Sequence, residues 1–191
     1  QESMNPKRIF DLTLGLFLLM ILAIPAIIIG MAIRITSPGP ILYRSNRIGK
    51  DNTQFVMYKF RTMNAGTPVV ATHLLPDPGQ HLAPLGAVLR RTSMDEIPQL
   101  YNILRGDMSF VGPRPALFNQ YDLISMRTRL GVHRLLPGLT GWAQVNGRDD
   151  LPIPVKVTFD RFYLQNRGLL FDLRILLLSL VKVLKKEGVS H

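Results

Sequence analysis

Asp95 and Glu96 are chain neighbours in the stretch Ser93-Met94-Asp95-Glu96-Ile97-Pro98-Gln99, and Gly112-Pro113-Arg114-Pro115 follows within twenty positions. Paired acids among cations suit phosphate chemistry: a carboxylate can attack phosphorus or hold a divalent metal, while guanidinium groups neutralise phosphoryl oxygens. The cations are Arg90 and Arg91 upstream, Arg105 and Arg114 downstream, and Lys59 and Arg61 from an earlier segment. A plainer role is also open, with both acids as first-turn helix residues and Ser93 and Glu96 forming a capping box. A glycosidase fits less well, because its two acids must flank one bond at about 5–9.5 Å, and these are adjacent in the chain.

The elements around these residues follow from local chemistry. Proline has no N–H, so Pro98 is tolerated in a helix's first turn; at N3 it would make Asp95 the N-cap, with its carboxylate at the positive helix end. Ile97, Leu100, Tyr101 and Leu104 then give that helix one buried face. Pro113 and Pro115 stiffen the turn that carries Arg114, which reduces the entropy lost in holding its side chain toward a ligand. Pro137-Gly138-Leu139-Thr140-Gly141 offers backbone N–H groups from a loop, a way to hold phosphate oxygens. Arg148 adds charge nearby in sequence, and Trp142 suits a stacked base, an anchor at the membrane interface or a packed core. Helices are expected near 82–91, 95–105, 116–130 and 155–166, short strands at 41–43 and 55–60, and a loop over 64–80. The apolar and basic run from 169 to 186 fits an interfacial helix or a core helix equally.

One domain with a real core is what 191 residues allow. A net charge of +10 and a pI near 10.4 favour phosphate-rich partners of any kind. The absence of cysteine excludes thiolate nucleophiles and Cys-ligated metals. The four histidines, at 73, 81, 133 and 191, show no metal-ligand spacing. No charged residue occurs from Leu12 to Ile33, a run long enough as a helix to cross a bilayer. Pro25 near its middle and basic residues at both flanks (Lys7, Arg8, then Arg34, Arg44, Arg47) favour a helix that enters, bends at Pro25 and returns to one face. No small-residue cleavage site follows the run, which argues against a signal peptide.

The chain resembles the small monotopic phosphoglycosyl transferases, bacterial sugar transferases of the PglC type. The resemblance runs over Lys7-Arg8-Ile9-Phe10-Asp11, Tyr58-Lys59-Phe60-Arg61-Thr62-Met63, the Asp95-Glu96 segment, Gly106-Asp107-Met108-Ser109-Phe110-Val111-Gly112-Pro113-Arg114-Pro115 and Pro137-Gly138-Leu139-Thr140-Gly141-Trp142-Ala143-Gln144-Val145-Asn146-Gly147-Arg148. It implies transfer of a sugar phosphate from a UDP-sugar to polyprenol phosphate, in the first membrane step of glycoconjugate biosynthesis, with Mg²⁺ as cofactor. Asp95 would be the nucleophile and, with Glu96, the metal ligand; Lys59, Arg61, Arg90, Pro113, Arg114, Pro115 and Arg148 would contact the substrate. The implied fold is α+β and predominantly helical, in a single membrane-associated domain with a small β element. Residues 1–36 would form a membrane-embedded re-entrant helix hairpin and 37–191 a catalytic domain on the cytoplasmic face of the inner membrane, beside anionic phospholipid. The family's Ser-Pro break is Ile24-Pro25 here, and Leu136 stands where the family has arginine before Pro-Gly. A homo-oligomer is compatible with this reading. A non-catalytic basic membrane scaffold is the alternative. A nucleic-acid partner is not expected, because clustered basic-aromatic motifs are lacking.

Overall fold

The computed structural model describes residues 5–64, 66–67, 77–147 and 151–185. Helix α1 (Pro6–Thr36) leads into a hairpin of β1 (Leu42–Ile48) and β2 (Gln54–Phe60), then α2 (Gly86–Thr92) and α3 (Gln99–Arg105). Strands β3 (Ser109–Val111) and β4 (Ala116–Leu117), helix α4 (Tyr121–Arg129), strand β5 (Gly138–Thr140), and helices α5 (Trp142–Asn146), α6 (Ile153–Asn166) and α7 (Leu169–Lys185) follow. β1 pairs antiparallel with β2 and with β4, giving the sheet order β2-β1-β4, and β3 pairs parallel with β5. The architecture is therefore α+β and mostly helical, as the sequence suggested.

The core gathers Ile103 of α3, Met108, Phe110 and Val111 around β3, Val132 and Ile175 of α7, all fully buried. Asn102, also fully buried, joins α3 to β2: its Nδ2 donates to Val56 O at 2.7 Å and its Oδ1 accepts from Tyr58 N at 3.1 Å. Such a buried amide is costly unless both ends are paired, so it sets one register of helix against strand. Arg8 meets the C-terminal end of α3, donating to Ile103 O, which also accepts from Gly106 N, and to Leu104 O at 2.6 and 2.7 Å, where a cation suits the last carbonyls of a helix.

α1 is 31 residues long and Pro25 lies inside it, so this proline does not divide the segment into two elements. One stripe of the helix packs on the rest of the fold. Leu14, Leu18 and Leu22 meet the main core, Gly15 faces Leu104 and Phe110, and Ala26, Ile29 and Ile33 pack with Phe60 and Leu89. Met20, Ile21, Ile24, Ile27 and Ile28 are exposed. α7 likewise buries Asp172 and Ile175 while exposing Leu170, Leu177, Leu180 and Val181, so it has both a packed face and an open apolar face.

Several expectations shift. The first strand, expected only over 41–43, runs on through Arg44, Ser45, Asn46 and Arg47, because full pairing with β2 satisfies its backbone. The helix expected over 116–130 begins at Tyr121, since Ala116 and Leu117 pair with β1. β3 and β5 were not anticipated; at three residues each they are too short for an alternation signal.

Candidate active site

Asp95 and Glu96 do not begin α3. Ser93 adopts a left-handed conformation (φ 57°) that ends α2, Met94–Glu96 form a 3-10 turn, and Pro98 is the N-cap of α3. The Ser93 hydroxyl makes no capping hydrogen bond, so neither the capping box nor an N-cap role for Asp95 is realised. The tight turn directs Asp95 inward, where it is only 7% exposed.

β2 brings Lys59 to this turn. Its Nζ lies 2.6 Å from Glu96 Oε1 and 3.6 Å from Asp95 Oδ2, and Arg114 Nη1 approaches Glu96 Oε1 at 3.6 Å from the segment after β3. Arg90 of α2 is oriented by a hydrogen bond from its Nε to Thr62 Oγ1 at 3.0 Å. Asp95 itself accepts no hydrogen bond from the described residues. Burial pushes the Asp95 carboxyl above the usual carboxylate range; Lys59 pulls it back, the Glu96 charge adds to the rise, and Arg114 and Arg90 oppose it. Burial also lowers the Arg90 guanidinium from its ordinary value, against the pull of Asp95.

Lys59, Arg90, Asp95, Glu96 and Arg114 are thus brought together. Arg61 is not in this group: it is 5% exposed and its guanidinium donates to the carbonyls of Ser37 and Pro38, pinning the chain as it leaves α1. Pro113 and Pro115 flank Arg114, and Arg148 lies outside the described residues. Arg105 is largely exposed, 3.6 Å from Asp107. The Pro137-Gly138 run is strand rather than an open loop, with the Gly138 N–H donated to Pro113 O at 2.9 Å. A Cβ at Gly138 would lie 2.1 Å from Gly112 N, so close backbone packing accounts for glycine there. Trp142 packs beside Phe171 and Phe162, ring centroids 5.0 and 5.9 Å away, with Arg174 over its face. Sequence reasoning missed Thr62 and Asn102, whose side chains orient Arg90 and β2; neither residue type signals such a role before its partner is known.

Two buried or half-buried acids stand beside three cations, a set suited to binding anionic groups, on a fold whose first helix is long and apolar enough to cross a membrane. The chain belongs to the bacterial sugar transferase family, whose family model matches residues 2–186. It is 38% identical over 185 residues to the uncharacterized sugar transferase EpsL of Bacillus subtilis (strain 168), an alignment spanning 97% of this chain and 90% of that protein. It is 37% identical over 186 residues to the UDP-glucose:undecaprenyl-phosphate glucose-1-phosphate transferase of Escherichia coli (strain K12). It is 35% identical over 201 residues to the undecaprenyl-phosphate galactose phosphotransferase of Salmonella typhimurium (strain LT2). These two alignments span 92% and 95% of this chain but 39% and 41% of the relatives' own lengths.

Proposed function

We propose that this chain transfers a sugar phosphate from a UDP-sugar to polyprenol phosphate, giving polyprenyl-diphospho-sugar and UMP, through a phosphosugar ester on Asp95. The observation that carries this reading is Asp95 itself, a buried carboxylate without a hydrogen bond among the described residues, held 3.6 Å from Lys59. Burying such a group is costly, and the cost is understandable where the uncommitted oxygen is needed as a nucleophile.

In the first step an Asp95 carboxylate oxygen bonds to the sugar-proximal phosphorus. The bond from that phosphorus to the bridging oxygen breaks, and UMP leaves with that oxygen and its electron pair. In the second step an oxygen of polyprenol phosphate attacks the same phosphorus, the bond to Asp95 breaks, and the carboxylate is regenerated. Lys59, Arg90 and Arg114 neutralise charge on the phosphoryl oxygens in both steps. Mg²⁺ is commonly held by one or two carboxylates together with substrate phosphates, so Asp95, with its uncommitted oxygens, and Glu96 fit it as ligands. When bound, the ion would supply further neutralisation of the diphosphate.

The purified chain, given the correct UDP-sugar alone, should release one equivalent of UMP and carry an adduct on the peptide containing Asp95. Polyprenol phosphate added afterwards should discharge that adduct. UMP release only when both substrates are present, with no trappable adduct, would replace this mechanism by direct transfer in a ternary complex.

A monotopic arrangement on the cytoplasmic face belongs to the same proposal. Both halves of α1 pack on one body, Gly15 against Leu104 and Phe110 and Ile33 with Phe60 and Leu89, which supports placing both ends of the helix on one side of the bilayer. Single cysteines at Asn5 and Lys50, in a chain with none of its own, should label from the same side of sealed vesicles. Labelling from opposite sides would mean a spanning helix.

A further inference from the structure

We propose that Asp11, on the membrane helix α1, is a positioning residue for Arg114, so that docking of α1 sets the cation that faces Glu96. The inference rests on the assignment of Arg114 to the phosphate site. β3 is held along one edge by β5, with Ser109 N donating to Pro137 O at 2.9 Å. Neighbouring residues of a strand direct their amides to opposite edges, so the Phe110 N–H points away from β5. It donates instead to Asp11 Oδ1 at 3.1 Å, and the same oxygen accepts from Ser109 Oγ at 3.1 Å. Asp11 takes the place of a missing neighbouring strand.

A second brace meets β3 one residue further on. The Tyr163 hydroxyl lies 2.7 Å from Asp172 Oδ1 and 3.3 Å from Val111 O, so its one proton favours the carboxylate and only weakly serves the strand. Lys7, at the start of α1, pairs with the other oxygen of Asp172. Beyond Val111 the chain has little freedom. Gly112 N donates to Thr140 O, and the carbonyls of Pro113, Arg114 and Pro115 accept from Gly138 N, Arg127 Nη1 and Arg47 Nη1 at 2.9, 2.8 and 3.1 Å. Two prolines restrict φ on either side of Arg114. A displacement of β3 is therefore passed to the Arg114 guanidinium with little to absorb it.

Stability alone does not account for a carboxylate at position 11. Asp11 is 1% exposed and its Oδ2 has no hydrogen bond among the described residues, and an apolar side chain would avoid that desolvation. What an apolar side chain could not do is hold the Phe110 amide and the Ser109 hydroxyl together.

The test is a double-mutant cycle on the full chain in lipid nanodiscs, measuring UMP release from the UDP-sugar that the enzyme accepts. Asp11→Ala should lower kcat/KM for the UDP-sugar about tenfold or more in the wild type, but less than about twofold in an Arg114→Ala background, because the two act as one unit. Asp11→Asn keeps an acceptor oxygen and should restore most of the loss. Equal losses in both backgrounds, or an asparagine variant as poor as alanine, would overturn the proposal. Should Asp11→Ala fail to fold, Tyr163→Phe is carried through the same cycle, with a smaller loss that must again vanish beside Arg114→Ala. Hydrogen exchange gives a readout without substrate: amides over 109–117 should lose protection in either variant while α6 keeps its own. Unchanged protection there would refute the positioning role. A wild type that releases no UMP from any UDP-sugar would refute the proposed reaction and leave the exchange result to decide the positioning of β3.

Discussion

Asp95 and Asp160 are both buried acids beside cations, and their hydrogen bonding is opposite. Asp160 of α6 receives two hydrogen bonds from Arg127, from Nε at 2.9 Å and Nη2 at 2.7 Å, and both side chains are almost wholly buried. Asp95 has Lys59 at 3.6 Å and no hydrogen bond from the described residues. Burial raises both carboxyls, but at Asp160 the opposing pull of Arg127 comes through its charge and then through direct hydrogen bonds as well, whereas at Asp95 the cations pull only through charge, and Glu96 works against them. A buried pair with its bonds made acts as a fastener, whereas the buried acid that accepts no hydrogen bond is the reagent of the proposed mechanism. The fastener also serves the reagent, since the remaining Arg127 nitrogen donates to the Arg114 carbonyl.

The largest effects should separate the two aspartates outright. Asp95→Asn should lower turnover by about a thousandfold or more, since an amide keeps the shape but is a poor nucleophile. The variant should remain folded by circular dichroism. Asp160→Ala should instead cost about 3–5 kcal/mol of stability by stranding Arg127, read as a fall in the unfolding midpoint. Near-normal turnover in Asp95→Asn would erase the distinction.

Acidity should sharpen the same contrast. Because burial holds the folded-state pKa of Asp95 above its unfolded value, the folded protein favours the protonated acid, and ionisation carries a cost that appears as pH rises through the folded pKa. Asp95→Asn removes that cost, so it should melt above the wild type at neutral pH, and the gap should close below the usual carboxylate range. Activity runs the other way: protonated Asp95 cannot attack, so the acid limb of the kcat/KM profile should lie above that range. An acid limb at ordinary carboxylate pH would mean that burial of Asp95 is relieved in solution.

The smallest effect on chemistry is expected at Arg61. With its guanidinium committed to the Ser37 and Pro38 carbonyls, Arg61→Ala should cost about 1–3 kcal/mol of stability while leaving KM for the UDP-sugar near its wild-type value. A large rise in KM would return Arg61 to the phosphate site.

The amino-acid sequence by itself determined the chemistry on offer: the neighbouring acids, the stiff proline-flanked arginine, the uncharged run from Leu12 to Ile33 and the strand near 55–60, each written in contiguous residues. Only the tertiary structure decided which cations join the acids. Lys59 and Arg61 are two positions apart and would share a strand face, yet β2 ends at Phe60 and Arg61 turns to the end of α1. Asp95 is a 3-10 residue and not an N-cap because α3 starts only at Gln99, after Pro98. The supports that matter most connect distant positions, Val56 with Asn102 and Asp11 with Ser109 and Phe110. Local preference depends on neighbours along the chain, whereas these bonds depend on which backbone groups are left unpaired once the helices and strands have packed. Their partners are therefore chosen by burial in three dimensions.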